Sequence, residues 1–126
     1  MKDNKFFICE HCGNIIGMIN NAGVPVMCCG QKMTPIIPGT VEASKEKHIP
    51  VAEVVGNKVK VAIGSVEHPM AEEHHIAWVY LETDKGGQRK NLEVGKAPFV
   101  EFALADEKAV AVYAYCNLHG LWKAEL

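Results

Sequence analysis

Two cysteine pairs, Cys9-Glu10-His11-Cys12 and Cys28-Cys29, fall within the first thirty residues of this chain. The stretch that holds them has few large apolar side chains. It is interrupted by Gly13, Gly17, Gly23 and Gly30 and by the turn-prone Asn20-Asn21-Ala22-Gly23. A segment this small buries too little apolar surface to fold unaided and needs a staple, either a metal or disulfides. Five cysteines in all is an odd number, and the apolar run leading into Cys9 is only three residues, Phe6-Phe7-Ile8, too short for the hydrophobic region of a signal peptide. Both observations favour thiolate chemistry in a reducing compartment over a disulfide scaffold, so a cytoplasmic location is expected.

The spacing is that of a metal knuckle. Two residues between Cys9 and Cys12 let the chain turn so that both sulfurs face one point, and Gly13 lets the backbone approach and donate N–H groups to sulfur. Side chains alternate along an extended strand, so the adjacent Cys28 and Cys29 can serve one ion only where the backbone is kinked, and Gly30 eases that kink. The expected site is a distorted tetrathiolate, with donors that suit zinc and iron alike. Free or buried thiols are the alternative. His11, between two of the cysteines, reads as an exposed loop residue.

The 126 residues are 48% hydrophobic and 22% charged, with a net charge of −2. That composition allows one ordinary domain or two very small ones and excludes wholesale disorder. It provides no global basic field for nucleic acid. No apolar run approaches the roughly 18 to 20 residues of a membrane span. Neither nucleic acid nor membrane is expected as a partner. Thr34-Pro35-Ile36-Ile37-Pro38-Gly39 has the two prolines and glycine of an extended connector. The expected division is therefore 1–37 and 38–126.

From Thr40 onward the pattern becomes period-two alternation, the mark of half-buried strands. Lys58-Val59-Lys60-Val61-Ala62-Ile63 sets Val59, Val61 and Ile63 on one face and two lysines on the other. Strands are also expected at 50–55, 76–81, 99–104 and 109–115, where β-branched and aromatic residues concentrate. Gly56-Asn57, Asp84-Lys85-Gly86-Gly87 and Ala105-Asp106-Glu107-Lys108 supply turns. No 3.6-residue apolar stripe is sustained beyond two turns. The predicted fold is mainly β, with an antiparallel β-sandwich after the small cysteine module.

A second stock of metal donors lies in this sandwich. His48, His68, His74, Cys116 and His119 come from separate stretches, each adjoining a predicted strand. Loops at strand ends can bring such groups together without disturbing a core. Each alone is a weak signal. A lone histidine is usually a surface or satisfied core residue, and Cys116 ends the alternation Val110, Val112, Ala114 as a small buried hydrophobe would. Cys116-Asn117-Leu118-His119 is more specific, because both donors must face the same way.

Taken together, the motifs resemble the two-iron desulfoferrodoxin class of superoxide reductases over essentially the whole chain. Cys9-x-x-Cys12 with Cys28-Cys29 is similar to the desulforedoxin (rubredoxin-like) module. Glu46-Lys47-His48-x-Pro50, His68-Pro69-Met70 with His74, and Cys116-Asn117-x-His119-Gly120 resemble the neelaredoxin-type catalytic domain. The resemblance implies an immunoglobulin-like β-sandwich behind the iron module, usually as a homodimer. It implies one iron on Cys9, Cys12, Cys28 and Cys29, and a second held in a plane by His48, His68, His74 and His119 with Cys116 as axial ligand. His75 follows His74 where relatives often carry an aromatic; His74 keeps the family spacing from His68, and alternation turns the two rings to opposite faces.

Five protein ligands are too many for the usual tetrahedral zinc site and suit a six-coordinate ion with one position left over. Four neutral imidazoles and one thiolate leave a ferrous ion about one net positive charge, which attracts an anion such as superoxide. The resemblance implies that Lys47 steers superoxide, that Glu46 takes the sixth position once iron is ferric, and that a rubredoxin-type protein supplies the electron. From the residues alone, Glu46 and Lys47 read as part of the ordinary solvated run 42–47, and only the resemblance reverses that reading. Trp78 and Tyr80 are expected to pack in the sandwich, and Trp122 either packs there or shields the site. Three rivals stand beside the reductase: an iron electron carrier without superoxide turnover, a superoxide dismutase, and a zinc-ribbon module fused to a β-sandwich.

Overall fold

The polar, cysteine-rich start of the chain and its alternating remainder form separate compact units in the computed structural model, Met1–Ile37 and Pro38–Leu126. The structure describes residues 4–126.

In the first unit, β1 (Phe6–Ile8) is the centre of a three-stranded antiparallel sheet, flanked by β2 (Ile15–Gly17) and β5 (Thr34–Pro35). Part of the stretch expected as connector is therefore an edge strand, the place in a sheet where proline is tolerated. A two-stranded hairpin, β3 (Met27–Cys28) and β4 (Gln31–Lys32), completes the unit. Among its described residues only Phe6, Cys9 and Met33 are buried. That apolar content is far below what a free-standing core needs, so the thiol cluster supplies the rest.

The second unit begins with a four-residue helix, α1 (Lys45–His48), and continues in two antiparallel sheets. One has the order β10-β7-β6, from β6 (Pro50–Val55), β7 (Lys58–Ile63) and β10 (Phe99–Ala103). The other has the order β12-β11-β8-β9, from β8 (Ile76–Thr83), β9 (Gly86–Asn91), β11 (Ala109–Cys116) and β12 (Gly120–Glu125). The core lies between these sheets: Val59, Val61 and Ile63 of β7 and Phe102 of β10 meet Ile76, Val79 and Leu81 of β8 and Val112, Ala114 and Cys116 of β11. Each fully buried aliphatic side chain of this kind contributes roughly 1.5–3 kcal/mol. Lys58 and Lys60 face outward, as the alternation requires.

Two strands carry no sequence signature of their own. The segment Gly86–Asn91 is polar throughout, and the sequence predicts only a turn at its start; it is a strand because β8 pairs with it from Trp78↔Asn91 to Thr83↔Gly86. The strand Gly120–Glu125 likewise owes its conformation to β11, against which it pairs from Ala111↔Glu125 to Cys116↔Gly120. The register of β8 on β11 steps from Trp78↔Tyr115 to Ile76↔Cys116. Ala77 is thus the extra residue of a β-bulge, which lets Ile76 and Val79 both enter the core although strict alternation would set them on opposite faces. The bulge lies beside Cys116, at the end of the sheet where the histidines gather.

Candidate metal centres

In the first unit, Cys9 follows β1 and opens a tight turn in which Gly13 N donates to Cys9 O at 2.9 Å and Cys9 N donates to Asn14 O at 2.8 Å. Gly13 takes a positive φ of 85°, which that turn requires. Opposite it, Cys28 ends β3, and Cys29 and Gly30 form the two-residue loop to β4 with φ of 52° and 72°. Positive φ at both positions is the signature of the type I′ hairpin turn. The kink expected between adjacent cysteines is that turn, and Cys29 itself bears it, at a cost of about 1–2 kcal/mol for a residue with a Cβ.

The four sulfurs lie within 4.8 Å of one another. Cys12 Sγ is 3.7 Å from Cys28 Sγ, which also accepts from Asn14 Nδ2 at 3.7 Å. The backbone N–H of Cys12 stabilises the Cys9 thiolate and brings its pKa down to about 6. Hydrogen bonding to Cys12 and Cys9 holds the proton on Cys29 and pushes its pKa up to about 12. One thiol of the cluster ionises easily and the last resists, so four thiolates together require a cation. His11 is exposed, as expected.

In the second unit, donors from four segments converge. The ligating atoms of His48, His68, His74 and Cys116 all lie within 4.8 Å of one another, and His119 Nδ1 lies 3.2 Å from His48 Nε2 and 3.9 Å from Cys116 Sγ. The four imidazoles form a square. Ring centroids are 4.6 Å apart for His48–His68, 4.6 Å for His68–His74, 5.0 Å for His74–His119 and 5.0 Å for His119–His48. Neighbouring rings stand at 78° to 87°, while the His48–His74 pair is separated by 6.2 Å and tilted by only 32°. Cys116, fully buried at the end of β11, supplies the fifth donor.

Tautomers fix which nitrogens are free. His48 Nδ1 is 2.6 Å from Ser44 O and His68 Nδ1 is 2.7 Å from Pro69 O. A carbonyl only accepts, so each Nδ1 carries the proton and each Nε2 offers a lone pair. Those two Nε2 atoms face each other at 3.2 Å. Two bare acceptors at that distance repel, whereas about 3 Å is the separation of neighbouring ligands at right angles on an ion with metal–nitrogen bonds of about 2.1 Å. His74 Nε2 is buried with no hydrogen-bond partner. An orphaned acceptor beside three imidazoles and a thiol is what a cation would satisfy, so the donors fit iron at this site.

Burial also keeps three of the rings neutral. Desolvation lowers the pKa of His48 and His74 and brings His68 down to about 4, with the neighbouring imidazoles adding to the effect. Trp122 packs against His48 at 5.0 Å, and its Nε1–H donates to His119 O at 3.0 Å. It therefore supports two of the four rings, a role the sequence leaves balanced against core packing. Trp78 stacks on Tyr115 at 5.3 Å and 7° within the sheet, the packing role the sequence predicts. His75 is not part of the square: its Nδ1 lies 3.1 Å from Ala71 O and 3.2 Å from Glu72 O.

Glu46 and Lys47 are both exposed on α1, immediately before His48. The Glu46 carbonyl accepts from Val66 N at 2.9 Å and from the Ser65 hydroxyl at 3.3 Å, which anchors this backbone while leaving both side chains at the surface. A cleft of about 570 Å³ is lined by Lys47, His68, Met70, Lys96 and Pro98, among others. Its lining thus includes one corner of the square, His68, together with the exposed Lys47.

The desulfoferrodoxin family model matches residues 40–125. The chain is 46% identical to the desulfoferrodoxin of Nitratidesulfovibrio vulgaris, over 96% of this chain and 95% of the relative. Its structure is similar to that of the superoxide reductase from Treponema pallidum, with a TM-score of 0.82, 48% identity and coverage of 98% of this chain and 99% of that one. The one-iron superoxide reductase from Giardia intestinalis matches 65% of this chain over its whole length, with a TM-score of 0.54 and 34% identity. A tetrathiolate set and a set of four imidazoles with one thiolate, both in one chain, match the two-iron content of desulfoferrodoxins. With this pair of donor sets, and with relatives aligned along nearly its full length, the chain belongs to the desulfoferrodoxin family.

Proposed function

We propose that this protein is a superoxide reductase, which reduces superoxide to hydrogen peroxide with electrons from an external donor. The observation that carries the reading is the square of four imidazoles with the Cys116 sulfur beside it. Identity of 48% with the Treponema superoxide reductase supports it. Residues 1–37 are then the desulforedoxin-like module, with iron on Cys9, Cys12, Cys28 and Cys29, and residues 38–126 the neelaredoxin-like catalytic domain. His48, His68, His74, His119 and Cys116 would hold a ferrous iron, which when bound would supply the one electron that, with two protons, turns superoxide into hydrogen peroxide.

The protein's own residues set the conditions for that step. Desolvation of buried His48 and His68 and of half-buried His74 keeps these rings uncharged at neutral pH, so they add no positive charge of their own and keep lone pairs available for an ion. Carbonyl partners hold His48 and His68 in one tautomer. Lys47 adds an exposed cation to the lining of the cleft, where it draws an anion inward and offsets the charge that grows as superoxide is reduced. The motif resemblance supports Glu46, on the same turn, as the group that would take the substrate's place after turnover.

A rubredoxin-type donor, a homodimer and a cytoplasmic setting complete the proposal, and the motif resemblance supports all three. Among the described residues no helix is long and apolar enough to cross a membrane. An electron carrier has no use for a coordination position left free by five protein donors, which favours the reductase. Replacing Cys116 by Ser tests the assignment: reaction with superoxide should be lost while the tetrathiolate colour remains. Unchanged turnover in that variant would refute it.

A further inference from the structure

Asn117 lies between two of the donors, in the loop Cys116-Asn117-Leu118-His119, and its side chain points at neither. Its Oδ1 accepts from His75 N at 2.9 Å and its Nδ2 donates to Glu73 O at 3.1 Å. Its own backbone N donates to His75 O at 3.1 Å. These three bonds close on the residues immediately before and after His74, more than forty positions earlier in the chain.

The loop that presents His74 has little else to fix it on this side. His74 exchanges backbone hydrogen bonds with Ala71, at 2.9 Å and 3.1 Å, which ties the loop to itself. Strand β8 begins only at Ile76. Glu73 O and His75 N would thus lack a strand partner, and the Asn117 amide supplies one acceptor and one donor to them at once. The partners dictate the amide's orientation, since an N–H only donates and a carbonyl only accepts. A carboxylate has no donor to offer, and a serine hydroxyl is too short to span both groups.

We infer that Asn117 is a positioning residue, which locks the loop carrying Cys116 and His119 to the loop carrying His74 and so sets the spacing of three of the five iron donors. The inference rests on the assignment of those residues as the donors of one iron. Supporting groups outside the ligand set typically govern metal affinity by 10–100-fold, which is the scale expected here.

The test uses the full chain loaded with ferrous iron, in wild type, Asn117→Ala and Asn117→Ser. Iron loss from the imidazole–thiolate site to excess ferrous chelator is followed with the tetrathiolate colour of the same chain as reference. Hydrogen exchange at the His75 amide is measured alongside. The inference predicts roughly 10–100-fold faster iron loss in Asn117→Ala, a smaller effect in Asn117→Ser, unchanged tetrathiolate, and faster exchange at His75 in both. Iron loss within about twofold of wild type in either folded variant, with the His75 amide still protected, would overturn it. If Asn117→Ala does not fold, the serine variant decides. Failure of the wild-type chain to hold iron at this site would instead overturn the underlying assignment.

Discussion

His48 and His68 face each other through their Nε2 atoms at 3.2 Å, while each ring's Nδ1 is committed to a backbone carbonyl. Both nitrogens are acceptors in that arrangement, and only a shared cation or a proton reconciles them. Removal of iron should therefore loosen this end of the sandwich. Ferrous iron added to metal-free protein should raise the thermal midpoint by mass action, by about 2.7 kcal/mol of stability at a hundredfold excess over the dissociation constant. A midpoint indifferent to iron would contradict the arrangement.

The same burial fixes a pH dependence. Desolvation lowers the pKa of His48, His68 and His74 in the folded chain, His68 to about 4, against the ordinary 6.5. The unfolded chain then binds more protons than the folded one between those values, so stability rises with pH across that window. Metal-free protein should lose stability as pH falls from about 6.5 toward about 4, because the unfolded imidazoles take up protons that the folded ones refuse. Urea midpoints at several pH values would show it; a flat profile would not fit.

Lys47 is the exposed cation that borders both the cleft and His48. Lys47→Ala should lower the second-order rate with superoxide by about tenfold and flatten its dependence on ionic strength. A reaction equally fast and equally salt-sensitive would return Lys47 to an ordinary surface role.

Gly64 lies under the turn that presents Glu46 and Lys47. A Cβ there would come within 2.5 Å of Glu46 O and 2.9 Å of Ile49 O, both backbone atoms that cannot swing aside. Gly64→Ala should destabilise the fold by about 1–3 kcal/mol, as overpacking does, and should slow the superoxide reaction by displacing the Lys47 turn. Denaturant midpoints and the superoxide rate measured together would reveal both effects.

Much of this architecture is written in local patterns. Val59, Val61 and Ile63 alternate with lysines, and Val112, Ala114 and Cys116 alternate on β11, so both inward faces can be read directly. The cysteine spacing likewise announces a tetrathiolate. What escapes the sequence depends on distant partners. The polar segment Gly86–Asn91 is a strand only because β8 pairs with it, and the bulge at Ala77 exists only in the register against β11. Single histidines carry no signal of the square they form, since its four corners are drawn together by separate strand ends. The support given by Trp122 to His48 and by Asn117 to the His74 loop is equally invisible until the fold brings them into contact.

The most direct measurement is the product yield when reduced, iron-loaded protein receives a pulse of superoxide, with spontaneous dismutation in a protein-free control subtracted. A superoxide reductase gives one hydrogen peroxide for each superoxide consumed and no dioxygen. Half that yield with matching dioxygen would mean dismutation, and no acceleration over the control would mean an electron carrier; either result would contradict the account.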